Sequence, residues 1–144
     1  MSMNKLYETI LIALTLIVFS LALTQAEDPT QISTEAEDVI TIEDWAIATT
    51  IENRIPQRTA QSFPATIGNL ICFTKVVGSK TETSITHTWY YQDKKMAEVV
   101  LPVRSPYWRT WSSKKIMPQW KGPWRVDVTS QEGVLLKTIT FTIE

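Results

Sequence analysis

From Val39 onward, apolar side chains fall in short runs, and Pro, Gly, Asn, Asp or Ser interrupt them about every ten residues. Ile139, Phe141 and Ile143 alternate with Thr138, Thr140 and Thr142. Trp124, Val126 and Val128 alternate in the same way with Arg125, Asp127 and Thr129. A period of two sends one set of side chains to a core and the other to solvent, so both segments predict half-buried strands. Gln131-Glu132-Gly133 between them predicts a hairpin, with glycine available for positive φ. The same reading places a strand within Asp44 to Glu52 and others at Asn69–Val77, Thr83–Tyr91 and Tyr107–Ser112. Gln92 to Lys95 reads as a turn into a further strand, Met96–Val103. The last two strands are Trp124–Ser130 and Val134–Ile143. Seven strands without a helix-period stripe predict an all-β sandwich. Ser113 to Pro123, with two prolines and one glycine, predicts an exposed loop.

The N-terminus follows a different logic. Ile10 to Leu23 is 14 residues without a charge, preceded by a short polar segment whose only cation is Lys5. Thr24-Gln25-Ala26 offers small residues at the −3 and −1 positions before Glu27. That order is a secretory signal peptide ending at residue 26. The 18 uncharged residues from Thr9 to Ala26 also fit an uncleaved anchor at the short edge of a bilayer span. No cysteine lies near the site, which excludes a lipoprotein. The expected localisation is therefore exported, periplasmic or extracellular, with anchoring to the inner membrane by residues 9–26 as the alternative to cleavage. Residues 27–43 form an acidic linker, and 44–144 form the sandwich domain.

Charge sharpens this division. Glu27 to Ala60 carries a net −6, whereas Gln61 to Glu144 carries +5. An acidic solvated leader before a mildly basic domain is the plain interpretation. The sharper one is that the leader shields the basic face from a wrong partner. Cys72 is the lone cysteine and lies in the apolar run LICF, so stability rests on packing and not on disulfides.

Recognition chemistry concentrates between Pro102 and Arg125. The stretch holds six basic residues and no acidic one, with four of the six tryptophans and Tyr107. Interleaved aromatic faces and cations can stack on a sugar ring while holding an anion. Trp89 and Trp124 share a phase with aliphatic residues, which assigns them to the core, facing each other across the sandwich. Trp108 and Trp111 are three apart and point to opposite faces, so at most one enters the core. The candidate binding residues are Arg109, Trp111, Trp120, Lys121 and Arg125. Trp120 alternatively closes the open end of the sandwich, and Arg109 or Arg125 alternatively pairs with Asp127, Glu98 or Asp93 on a sheet face.

No catalytic constellation accompanies the cluster. His87 is the only histidine, and its phase places it inward or at a sheet rim. One His and one Cys do not make a metal site. Ser112 to Lys115 spells S-x-x-K, but the motif follows a strand and lacks the companion elements of the penicillin-binding enzymes. Four glycines in the whole chain leave no G-x-G-x-x-G and no P-loop.

Five stretches carry a family resemblance: ENRIP (Glu52 to Pro56), SFP (Ser62 to Pro64), HTWYYQDK (His87 to Lys94), LPVRSPYWRTWSSKKIMPQWKGPWRVDV (Leu101 to Val128) and GVLL with FTI (Gly133 to Ile143). Together they resemble the bacterial domain-of-unknown-function 2914 family. The resemblance implies an immunoglobulin-like β-sandwich behind a signal peptide or membrane anchor, with no established enzymatic activity.

The resulting expectation is a non-catalytic exported module that binds an envelope protein or a cell-envelope glycan. An accessory domain or weak hydrolase acting on cell-wall polymer, or a spacer without a ligand, are the alternatives. No cofactor, metal or nucleic acid is expected, and the membrane enters only through an uncleaved N-terminal segment.

Overall fold

The computed structural model describes residues 39–144. The expected signal segment and the expected acidic leader up to Asp38 lie outside the described residues. Ten strands follow in order: β1 (Thr41–Ala48), β2 (Thr50–Glu52), β3 (Ile55–Gln57), β4 (Ser62–Phe63), β5 (Asn69–Val77), β6 (Thr83–Tyr91), β7 (Lys94–Val103), β8 (Tyr107–Lys115), β9 (Gly122–Ser130) and β10 (Leu135–Ile143). None of the described residues is helical. A three-stranded sheet, β1-β5-β8, faces a five-stranded sheet, β4-β10-β9-β6-β7, and β2 and β3 form a separate ribbon. Residues 39–144 form an all-β sandwich.

Alternation in the sequence becomes alternation in burial. Along β9, Trp124, Val126, Val128 and Ser130 are buried while the residues between them are partly exposed. On β10, Ile139, Phe141 and Ile143 point inward and the threonines point out. They meet Ile47, Leu70, Cys72 and Val76 from the opposite sheet in one apolar cluster. Each fully buried side chain of this size contributes about 1.5–3 kcal/mol.

The seven strands expected from the pattern are all present, and three short ones join them. The first expected strand is broken at Thr49 into β1 and β2. β1 begins at Thr41, and Ile40 ahead of it is already buried. The ribbon β2–β3 turns on Asn53 and Arg54, at φ 49° and 61°. Two successive positive-φ residues between paired strands make a type I′ hairpin turn, which follows the twist of its strands. β4 runs parallel to the end of β10 and inserts Phe63 into the core, edge-on to Phe141 at 6.4 Å.

Two expectations need correction. Ser113 to Pro123 is not one exposed loop: β8 continues to Lys115, Ile116 is buried, and only a tight turn closed by Trp120 N–H to the Met117 carbonyl (3.0 Å) remains. Trp89 and Trp124 are core residues, but they do not face each other across the sandwich. β6 and β9 are neighbours in one sheet, pairing Tyr91 with Trp124 and Trp89 with Val126, so both indoles descend from the same side.

Candidate functional site

The edge strand β8 presents its side chains alternately. Tyr107, Arg109 and Trp111 project from the outer face of the three-stranded sheet, in register with Val77, Lys75 and Phe73 of β5. Phe73 on that outer face is nonetheless only 1% exposed. The β2–β3 ribbon spans this sheet. It leaves β1, where Thr49 N–H reaches the Gln57 carbonyl (3.3 Å), and its tip arrives at β8, where Arg54 donates to the Arg109 carbonyl at 3.1 Å. A span from β1 to β8 crosses β5 between them.

At the ribbon tip a groove of about 440 Å³ opens on the seam where the chain passes from β7 to β8. Arg54, Pro102, Arg104, Trp108, Arg109, Thr110 and Trp111 line it. The Arg54 guanidinium sits 5.2 Å from the Trp108 ring centre, a cation–π contact. Trp108 is half-buried against the core and Trp111 is 37% exposed. Arg104 meets Glu82 at 3.4 Å, with both side chains largely in solvent. Among the described residues, neither Arg54 nor Arg109 has a carboxylate partner. Two uncompensated guanidinium groups, a third only loosely paired and two indoles thus share one concavity.

The other candidate residues lie elsewhere. Arg125 stands on the outer face of the five-stranded sheet, ion-paired with Asp93 and with Asp127 (3.3 Å). Its guanidinium also covers Tyr90 at 4.0 Å. This is the sheet-face pairing foreseen as its alternative role. Trp120 packs on Tyr91 (6.5 Å) and Trp124 (6.0 Å) beneath the Lys114 ammonium at 5.2 Å, closing one end of the sandwich. Lys121 is exposed beside it, and its backbone carbonyl accepts from the Tyr91 hydroxyl at 2.9 Å. Arg109 and Lys114 are five positions apart on β8, roughly 16 Å, so the tryptophan-rich segment serves separate surfaces. Arg109 and Trp111 share the groove; Trp120, Lys121 and Arg125 do not line it.

Sequence reading missed Arg54 and Trp108 as groove residues. The available signal was Asn53-Arg54 between Ile51 and Ile55, a two-residue hairpin loop with asparagine first. Nothing local indicates that its tip reaches a strand 55 positions away.

His87 is fully buried and spans the two sheets. Its Nδ1 lies 2.8 Å from Ser112 Oγ and its Nε2 lies 3.2 Å from Thr74 Oγ1. Trp89 Nε1–H donates to Ser112 Oγ at 3.0 Å, and Thr74 Oγ1 lies 3.4 Å from the Thr110 carbonyl. With the proton on Nε2, every donor in this chain has an acceptor: Trp89 to Ser112, Ser112 to His87, His87 to Thr74, Thr74 to Thr110. Burial holds the imidazole pKa down to about 4, so it is neutral at pH 7. The serine of the S-x-x-K string is therefore a buried partner of a structural histidine.

Cys72 is buried, and burial pushes its thiol pKa up. A thiol-disulfide reagent at pH 8 is expected to label it only at the rate of global unfolding, with full labelling in denaturant. Rapid labelling of the folded protein would contradict that placement. Among the described residues no group of three or more His, Cys, Asp or Glu could hold a metal ion, and no helix is long and apolar enough to cross a membrane.

A family model described as a protein of unknown function (DUF2914) matches residues 82–143. The match starts at the foot of β6 and ends with β10, leaving the ENRIP and SFP stretches outside. No curated protein matches the chain. The segment that builds β6 to β10, with six of the seven residues that line the groove, matches the DUF2914 family.

Proposed function

We propose that this chain is an exported, non-catalytic immunoglobulin-like module that binds a component of the bacterial cell envelope through the groove at the β7–β8 seam. The strand order supports the fold reading: an antiparallel β1-β5-β8 sheet opposite β10-β9-β6-β7, with β4 switching to pair with the last strand. The order of charged, apolar and small residues before Glu27 supports export.

One observation carries the binding reading. Arg109 and Trp111, two positions apart on an edge strand, project beside Arg54 and Arg104 into a concavity whose lining includes no acidic residue. Free guanidinium groups next to an exposed indole suit an anionic ligand with a flat apolar face. The experiment is co-sedimentation of the full chain with isolated cell-envelope material at several salt concentrations. Arg109→Ala is expected to weaken binding about tenfold and to flatten its salt dependence. Unchanged binding and salt slope would remove the groove from consideration.

A further inference from the structure

Resting on that reading, we infer that the β2–β3 turn is the second jaw of the groove, and that Arg54 and Arg109 together clamp the carboxylate or phosphate group of an anionic glycan whose ring lies on Trp111. Arg54 occupies the second position of a two-residue type I′ turn at φ 61°. Glycine is the usual residue there, because the left-handed region strains any side chain. The arginine in that conformation is held by its side chain, on the Arg109 carbonyl and the Trp108 ring. Its guanidinium has five N–H donors, and among the described residues one of them is used, to the Arg109 carbonyl. The rest of the fork remains for an oxyanion, with the group already held 5.2 Å from the Trp108 ring centre.

The same contact argues for a glycan over an added peptide strand. Strand addition needs free backbone groups along an edge, and at the centre of this groove the β8 edge carbonyl is already taken by Arg54. What remains is an exposed indole face beside guanidinium forks. Stacking a sugar ring on the first and fixing its anionic substituent with the second uses both.

The test compares polygalacturonate and phosphomannan with their neutral counterparts, methyl-esterified polygalacturonate and dephosphorylated mannan, on the full chain. Binding to at least one anionic polymer, with at least about tenfold weaker binding to its neutral form, is expected. Arg54→Gly turns the loop into Asn-Gly, which suits a type I′ turn, and should reduce that binding about tenfold while the melting transition stays cooperative. Arg54→Lys keeps the charge without the fork and should recover only part of the loss. Binding to neither anionic polymer, or unchanged binding by Arg54→Gly, overturns the inference. If Arg109→Ala still abolishes binding to cell-envelope material in that case, the groove stands and only the ligand class and the role of Arg54 are wrong.

Discussion

Replacing Trp124 with alanine is expected to cost about 3–5 kcal/mol of unfolding free energy, the range for truncating a buried tryptophan. Domains of this size are stable by only about 5–15 kcal/mol, so the melting temperature should fall by on the order of 15–30 °C. The reason is its position. Trp124 stacks on Phe141 at 5.9 Å and meets Tyr91 at 5.1 Å and Trp120 at 6.0 Å. Its Nε1–H donates to the Trp120 carbonyl at 3.0 Å, tying the Met117–Lys121 turn to the core. Removing the indole leaves a cavity touching β6, β10 and the Met117–Lys121 turn, and frees that turn. Trp124→Phe keeps most of the packing and loses the hydrogen bond, at a cost of about 1 kcal/mol. Urea unfolding of both variants checks this ordering. Equal, small losses would show that the aromatic ladder does not hold the sandwich end together.

The second large effect is on pH. His87 has a folded pKa of about 4 against an ordinary value of 6.5. Above pH 6.5 the residue is neutral in both states and contributes no slope. As pH falls below 6.5 the unfolded chain takes up a proton that the folded one refuses, so stability drops until pH reaches about 4 and then levels off. The full loss is about 3 kcal/mol, of which about 2 kcal/mol falls between pH 6.5 and 5. Carboxylates titrate mostly below that upper window, which makes it specific to the histidine. Urea unfolding from pH 7 to 5 should show the decline in the native sequence and a flat profile in His87→Gln. A decline that persists in the variant would assign it to other groups.

Core and surface were legible to different degrees in the sequence. β5 and β6 occupy the expected residues to the position, because Asn69 and Thr83 open β-rich runs bounded by turn residues. Trp108 and Trp111 separate as their three-residue spacing requires, one half-buried and one exposed. The misreadings share one cause. Pro118, Gly122 and Pro123 suggested a loop, but register with β5 carried β8 on to Lys115 and put Ile116 under Gly68, whose carbonyl its N–H reaches at 3.0 Å. Tertiary pairing overrode local punctuation. The groove was half legible: Arg109 and Trp111 come from one strand, whereas Arg54 arrives from a hairpin far away in sequence. Arg125 looked equivalent to Arg109 along the chain. Only strand order reveals that Asp93 and Asp127 neutralise the one, whereas among the described residues no carboxylate pairs with the other.

That difference between two stretches of one tryptophan-rich segment is the point to measure. Binding of the full chain to isolated cell-envelope material should be compared for Trp111→Ala and Trp120→Ala, at a temperature where both are folded. Trp111→Ala is expected to bind at least about tenfold more weakly, a loss of about 1.4 kcal/mol, with an unchanged unfolding transition. Trp120→Ala should be less stable and bind as the native chain does. Full binding by Trp111→Ala alongside lost binding by Trp120→Ala would contradict the groove and move the site to the far end of the sandwich.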